Sequence, residues 1–214
     1  MATITLYHGS PDKIVNPTFG LGQDKHDYGR GFYLTQDLQL AKEWSVSRPD
    51  EVCGYVHTFS LETDGLIITD FEECGCLSWI AELMKHRDAV DSKRYRMLAA
   101  KFIEKYAVDT QKSDVIRGRR ADASYFYIAK AFVRDEVDVE ILPELLSLGG
   151  LGIQWCIKSE KAYSQLCKVG TVMPVNFKEF NAMYNDRDST SRLKMKELIN
   201  SDKNKVEKVF STLI

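Results

Sequence analysis

The stretch Tyr28-Gly29-Arg30-Gly31-Phe32-Tyr33-Leu34-Thr35 places an arginine between two glycines and follows it with a short run of aromatic and aliphatic residues. The run 31–35 predicts a β-strand. Glycine lets the backbone approach a ligand closely, and the guanidinium of Arg30 offers a fork of donors that suits a phosphate. The stretch therefore predicts a strand whose entry loop contacts an anion.

The segments on either side of this stretch extend the same unit. Residues 3–7 alternate as a strand does, and residues 9–31 are rich in Gly, Pro and Asp, which predicts a long loop. A loop of this length in a folded domain usually carries function. After the stretch, Thr35 is predicted to be the N-cap of a helix with Ala41 and Trp44 on its apolar face.

The rest of the chain alternates between strand and helix patterns. Strands are predicted at residues 54–61, 65–69, 114–117 and 153–158. Helices are predicted within 77–107 (two of them) and at 124–134, 139–148, 159–168 (with Ser159 as its cap) and 177–214. Strands mixed with interposed helices place the chain in the α+β class. Because the pattern becomes helical and polar after residue 170, we predict a domain at 1–170 and a helical C-terminal extension at 171–214.

Composition excludes several classes of protein. The chain has 214 residues, 44% hydrophobic and 28% charged, which suffices for a packed core and excludes a disordered chain. No run approaches the roughly 20 apolar residues of a membrane span, and the N-terminus lacks a signal-peptide pattern, so a cytoplasmic protein is expected. The formal net charge of −2 argues against binding nucleic acid by bulk charge. Residues 1–84 are acidic and 85–120 basic, which predicts either a polarised surface or ordinary solvated helix faces.

Five cysteines form an odd set, which indicates free thiols in a reducing compartment. Cys74 and Cys76 have a single residue between them, whereas paired ligands of structural zinc are usually two to four residues apart. No metal site is predicted.

Two further segments contain residues that suit ligand chemistry. Tyr7-His8-Gly9-Ser10 puts a histidine at the end of the first strand, where it either bonds to backbone or meets a ligand. The segment 113–126 combines a strand, the basic turn Arg117-Gly118-Arg119-Arg120 and a helix start with Asp122 near its N-cap. It predicts either an anion site or a basic turn before a capped helix.

In this order, the segments around His8, 28–35 and 41–44 resemble the NAD-binding core of ADP-ribosyltransferases of the diphtheria-toxin/poly(ADP-ribose) polymerase branch. The chain is more closely similar to a family of small bacterial proteins grouped as domain of unknown function 3990, which are ADP-ribosyltransferase-like. Segments 114–126 and 151–162 also match that family's pattern, and the resemblance covers about residues 3–168.

The resemblance implies an ADP-ribosyltransferase-like split antiparallel sheet and NAD as a substrate. His8 would bond to a ribose hydroxyl, Tyr33 would stack on the nicotinamide ring, and Gln154 would be the third catalytic residue. Arg30, and Arg119 or Arg120, would face the diphosphate. The remaining residues expected at the NAD site are Gly9, Gly31, Phe32, Thr35, Trp44 and Asp122.

Position 154 departs from the His-Tyr-Glu set of the ADP-ribosyltransferases that the chain resembles, whose third member is a glutamate. Nicotinamide leaves the ribose through an oxocarbenium-like state, whose charge a carboxylate opposes. Gln154 accepts a hydrogen bond but brings no charge, so we expect nicotinamide to leave more slowly than with a glutamate at this position. Glu160 and Asp122 are candidate substitute carboxylates. Two residues before Gln154, where arginine-modifying relatives carry Glu or Gln, this chain has Gly152, which argues against an arginine acceptor.

We therefore expect an NAD-dependent mono-ADP-ribosyltransferase that modifies a protein or nucleic acid. The resemblance implies a toxin of a toxin–antitoxin or phage-conflict system, with an antitoxin protein as partner and no membrane partner. The alternatives are a non-catalytic module that binds NAD, ADP-ribose or another protein, and an NAD glycohydrolase.

Overall fold

A computed structural model describes residues 2–47, 53–87, 93–121 and 123–214. Within these ranges the chain forms a mixed α+β fold around one sheet with the order β4-β5-β6-β2-β1-β3-β7. The strands are β1 Thr3–Ser10, β2 Phe32–Thr35, β3 Gly54–Glu62, β4 Ile68–Asp70, β5 Val115–Arg119, β6 Ile153–Ile157 and β7 Leu166–Val175. Only the β4–β5 pair is parallel among these strands, so the sheet is mostly antiparallel.

Eight helices accompany the sheet in the described ranges. They are α1 Leu38–Ser45, α2 Phe71–Cys74, α3 Cys76–His86, α4 Lys93–Tyr106, α5 Ala123–Val133, α6 Leu142–Leu145, α7 Glu160–Ser164 and α8 Phe177–Ile199. Two 3₁₀ turns lie at Val139–Ile141 and Phe210–Thr212. None of the described helices is long and apolar enough to cross a membrane.

The sheet is narrow at its centre. β1 pairs with β3 along all eight of its residues, but with β2 only at the register pair Tyr7↔Thr35. β2 in turn pairs fully with β6. Two well-formed halves, β4-β5-β6-β2 and β1-β3-β7, are therefore joined through a single pair, which leaves room for a cleft where β1 and β2 diverge.

Three apolar clusters hold the elements together. The largest lies between β5–β6 and helices α3 to α6 and includes the fully buried rings of Trp79, Phe102, Phe132 and Phe210. A second cluster lies on the strands themselves. The third joins α1, β3 and α8 through Ala41, Val46, Val56, Val175 and Phe180. Because Phe210 and Phe180 belong to these clusters, the C-terminal residues pack onto the domain.

Several predicted elements differ from the observed ones. The cap of α1 is Asp37 and not Thr35, since the Asp37 carboxylate accepts from the backbone N–H groups of Gln39 and Leu40. Thr35 instead donates to the carbonyl of Ile153 on β6. The helix predicted at 139–148 is broken into a 3₁₀ turn and the short α6, with Pro143 in the first turn of α6.

The prediction was also wrong between residues 165 and 175. Ser159 does cap α7, but α7 ends at Ser164 and the chain continues as β7. β7 pairs with β3 at residues 166–169 and 173–175, on either side of a register shift, so backbone pairing at the sheet edge decides the structure of this segment. The domain boundary placed at residue 170 falls within β7, and the long C-terminal helix ends at Ile199.

The basic and acidic segments neutralise one another where they meet. Three arginines of the segment 85–120 form ion pairs with acidic residues of the segment 1–84: Arg87 with Asp27 at 2.6 Å, Arg117 with Asp70 at 2.5 Å and Arg119 with Glu72 at 2.9 Å. The charge asymmetry of the sequence therefore serves in part to join neighbouring elements.

Gly9 marks the closest approach of β1 to α1. A Cβ atom on Gly9 would lie 2.0 Å from the carbonyl oxygen of Ala41, so a side chain there displaces the helix. We expect Gly9→Ala to lower the free energy of unfolding by about 1–3 kcal/mol, as overpacking does. Urea denaturation measures this loss. Thr5→Ala, at an exposed position of the same strand, is the matched control, and equal stability of the two variants would contradict the packing argument.

Candidate functional site

A cleft of about 560 Å³ opens where β1 and β2 diverge. Its volume is within the range of about 300–1,000 Å³ typical of small-molecule sites. Its walls come from β1, β2, β6, the loop between β1 and β2, helices α1 and α8, and the residues that follow α3 and β5. The lining residues are His8, Gly9, Ser10, Pro11, Asp12, His26, Asp27, Gly31, Phe32, Tyr33, Trp44, Ser47, Arg87, Arg120, Ala121, Gln154 and Tyr184.

His8 lies on β1 and is oriented by the neighbouring strand. Its ring Nδ1 lies 2.7 Å from the carbonyl oxygen of Tyr33, which can only accept, so Nδ1 carries the proton. Burial lowers the pKa of His8 from 6.5 to about 4, against the opposing effect of the bond to Tyr33. The ring of Phe32 packs 4.4 Å from the His8 ring, centroid to centroid. At neutral pH the uncharged ring therefore has Nε2 as a hydrogen-bond acceptor.

The hydroxyl of Tyr33 is held by two hydrogen bonds to the backbone of the preceding loop. It donates to the carbonyl of Gly29 at 2.5 Å and accepts from the backbone N–H of Tyr28 at 3.1 Å. Burial raises the pKa of Tyr33 well above its usual range, so the phenol stays protonated. The ring of His26 lies 5.3 Å from the Tyr33 ring. Because the hydroxyl is committed to the loop, the ring is the part of Tyr33 that can contact a ligand.

Gln154 is 3% exposed and fixed through its amide nitrogen. Nε2 donates to Oδ2 of Asp27 at 2.8 Å and to the carbonyl of Arg119 at 3.2 Å. Both partners are acceptors, which requires the nitrogen on that side of the amide. The carbonyl oxygen Oε1 is thereby left to accept a hydrogen bond from a ligand hydroxyl.

Asp27 was not predicted as a site residue, although it organises the back of the cleft. It is 6% exposed. Besides Gln154, it accepts from Nη1 of Arg87 at 2.6 Å and from the backbone N–H of Ala121 at 2.8 Å. Asp27 lies in a loop with several other aspartates, and the sequence holds no signal that distinguishes it.

The cations expected at the site are arranged differently from the prediction. Arg30 is about half exposed and forms a two-bonded ion pair with Asp24 outside the cleft. Arg119 binds Glu72 and the carbonyl of Leu146, also outside it. Arg120 lines the cleft and lies over the Trp44 ring at 4.3 Å.

Of the remaining predicted residues, some line the cleft and others lie outside it. Gly9, Gly31, Phe32 and Trp44 line the cleft. Gly31 admits no side chain, since a Cβ would lie 2.4 Å from Sγ of Cys156. Thr35 is buried and bonded to β6, outside the cleft. Asp122 lies outside the described residues. Glu160 begins α7 and does not line the cleft.

Arg87 and Tyr184 are among the other lining residues that were not predicted. Arg87 follows α3, and no feature of the sequence distinguishes it from the ten other Lys and Arg residues of the basic segment 85–120. Tyr184 is on α8, in the region that was predicted to be an extension. In the ranges that the structure describes, no group of three His, Cys, Asp or Glu side chains could hold a metal ion.

The depressed pKa of His8 makes stability depend on pH. Between about 6.5 and 4, the unfolded chain takes up a proton at His8 before the folded protein does. The free energy of unfolding should therefore fall as pH drops through this interval. His8→Gln, which is neutral throughout, should show a smaller fall in urea denaturation. The exposed His26→Gln is the control, and a slope unchanged by His8→Gln would contradict the assignment.

The contact between Gln154 and Asp27 predicts the effect of placing a glutamate at position 154. Gln154→Glu would place a second carboxylate against Oδ2 of Asp27 and remove the donor. We expect a loss of about 1–3 kcal/mol near neutral pH, as for an unsatisfied buried group. The loss should shrink as pH falls and the two carboxyl groups share a proton.

Thermal or urea unfolding at several pH values measures the stability of Gln154→Glu relative to the wild-type protein. Gln36→Glu, at an exposed position, is the matched control. Equal stability of Gln154→Glu and the wild-type protein at neutral pH would show that Asp27 and residue 154 are not coupled.

Comparisons with known proteins define the family. Neither curated proteins nor solved structures contain a match to this chain. A family model described as "Protein of unknown function (DUF3990)" matches residues 4–167, which extends from β1 into the start of β7. Since this is well over half of the chain, the protein belongs to the DUF3990 family.

Proposed function

We propose that this protein is an NAD-dependent mono-ADP-ribosyltransferase, in which NAD binds in the cleft between β1 and β2. The observation that carries the proposal is the meeting of His8, Tyr33 and Gln154. They come from three strands that are far apart in sequence and line one cleft. The resemblance to ADP-ribosyltransferases assigns these same three positions to NAD.

The shape of the sheet supports the proposal. A single register pair between β1 and β2 lets the two halves of the sheet diverge, and the cleft lies at that opening. Gly9 and Gly31 line it, and because a Cβ on either would strike α1 or β6, both glycines permit the close packing that shapes its wall. A split of this kind suits an extended dinucleotide better than a compact ligand.

The polar groups of the cleft fit the parts of NAD. Neutral His8 accepts a hydrogen bond from a ribose hydroxyl through Nε2. The ring of Tyr33 supplies a flat apolar surface for the nicotinamide. Gln154 accepts from the ribose 2′-hydroxyl through Oε1, since its amide nitrogen is bound to Asp27. Arg120 supplies the positive charge for the diphosphate, in place of Arg30 and Arg119.

When NAD is bound, the bond between the ribose and nicotinamide would break, and ADP-ribose would be transferred to a nucleophile. The protein contributes orientation and hydrogen bonds as positive charge develops on the ribose. Gln154 contributes no charge, and the charge of Asp27 is offset by Arg87. Relative to a site with a free carboxylate, we expect a lower rate, by as much as the ~10²–10³-fold associated with one such interaction.

This charge balance favours a second candidate, a module that binds NAD or ADP-ribose without catalysis. The two candidates share the cleft and its residues, and differ in whether nicotinamide is released. An NAD glycohydrolase is the third outcome, in which water takes the place of the acceptor.

We expect His8→Ala and Tyr33→Ala to abolish NAD binding, because each removes a group that contacts the ligand. Gln154→Ala should mainly lower turnover, since it removes one acceptor at the reacting centre. Isothermal titration calorimetry measures binding, and release of free nicotinamide from NAD measures turnover. Met183→Ala, at an exposed position outside the cleft, is the control.

The same assay separates the candidates. Release of nicotinamide together with labelling of a lysate macromolecule supports the transferase, and separate protease and nuclease treatments identify the acceptor class. Release without labelling indicates a glycohydrolase. Binding without release indicates the non-catalytic module. Unchanged NAD affinity in both His8→Ala and Tyr33→Ala would overturn the site.

A further inference from the structure

The C-terminal helix α8 contributes to the cleft although it lies beyond the region matched by the family. The family match ends at residue 167, and α8 spans Phe177–Ile199. Tyr184, near the middle of this helix, nevertheless lines the same cleft as His8 and Gln154. The cleft therefore has a wall that the family pattern does not include.

Helix α8 is fixed to α1 by polar and apolar contacts. Arg187 forms an ion pair with Glu43 at 2.7 Å, and the two side chains are only 17% and 7% exposed. Nδ2 of Asn181 donates to the carbonyl of Val46 at 2.8 Å, and Phe180 is buried between the helices. Since Trp44 lies on α1, these contacts set Tyr184 and Trp44 in fixed positions relative to each other.

The same helix is tied to the segment that leads into β6. Nη1 of Arg187 donates to the carbonyl of Gly149 at 3.3 Å. Oγ of Ser191, which donates to the carbonyl of Arg187 at 2.6 Å, lies 3.4 Å from the same carbonyl of Gly149. Gln154 follows five residues after Gly149. The position of α8 is thus linked to the strand that presents Gln154.

The wall made by α1 and α8 has the chemistry of a site for a planar base next to phosphate. Arg187 lies 5.6 Å from the ring of Tyr184, and Arg120 lies over the ring of Trp44. Nε1 of Trp44 is buried and has no hydrogen-bond partner among the residues that the structure describes. Buried donors are nearly always paired, so this one indicates an acceptor that the described residues do not supply.

We propose that Tyr184 stacks on the adenine base of NAD, which makes α8 a part of the ligand site. This inference rests on the proposed function, which assigns His8, Tyr33 and Gln154 to the nicotinamide half. The aromatic side chains of the two helices then remain for the adenosine half. Stacking of a base on an aromatic ring is sequence-tolerant and strong enough to determine affinity.

The test is titration of the full-length protein with three probes: NAD, ADP-ribose and nicotinamide mononucleotide. Tyr184→Ala should weaken NAD and ADP-ribose by the same factor, about 5- to 150-fold for one stacked base. Nicotinamide mononucleotide lacks the adenosine half and should show no difference between the variant and the wild-type protein. Tyr184→Phe keeps the ring and should bind all three probes as the wild-type protein does.

Met183→Ala is the matched control, because Met183 precedes Tyr184 on α8, is exposed and lies outside the cleft. Thermal unfolding of each variant establishes that α8 remains packed. Wild-type NAD affinity in Tyr184→Ala, a loss that extends to nicotinamide mononucleotide, or an equal loss in Tyr184→Phe would overturn the stacking role while leaving the proposed function intact. Absence of NAD binding by the wild-type protein would overturn both.

Discussion

The buried carboxylate of Asp27 is the contact on which the geometry of the cleft depends. It joins its own loop to β6 through Gln154, to the residue after α3 through Arg87, and to the residues after β5 through Ala121. A charge that is 6% exposed is tolerated only when it is paired and fully hydrogen-bonded. The three bonds therefore act together. The loop between β1 and β2 takes a defined position through them, although it has little regular structure of its own.

The neighbouring Tyr28 strengthens this anchor. Its hydroxyl donates to the carbonyl of Arg119 at 2.7 Å and accepts from the indole N–H of Trp79 at 3.0 Å. A Cβ on Gly118 would lie 2.4 Å from this hydroxyl, so glycine is required at that point of β5. Asp27 and Tyr28 together thus connect the loop to the main core, which places Tyr33 and His8 beside Gln154.

Periodicity predicted most strands and helices because each buries one face against the core. It failed at β7, where the residues are mostly exposed and the structure comes from pairing with β3 at the sheet edge. Pro174 and Gly170 in this segment also argue against a strand from sequence alone, although an edge strand tolerates both. The order of the motifs, through the resemblance, singled out His8, Tyr33 and Gln154, and all three line the cleft, while their roles toward NAD stay predictions. The contacts of the arginines were not predictable from the sequence. Arg30 pairs with Asp24 of its own loop, and the consecutive residues Arg119 and Arg120 at the end of β5 point in different directions.

The amide at position 154 and the carboxylate at position 27 are best understood as one arrangement. A glutamate at 154 would face Asp27 at hydrogen-bond distance, and both charges would be buried against a single cation, Arg87. Gln154 avoids that repulsion and donates the bond that holds the loop. With its amide nitrogen bound to Asp27, Gln154 still lines the cleft. Position 154 therefore needs a hydrogen-bond donor, which an ionised carboxylate lacks, and the same side chain both holds the loop and lines the cleft.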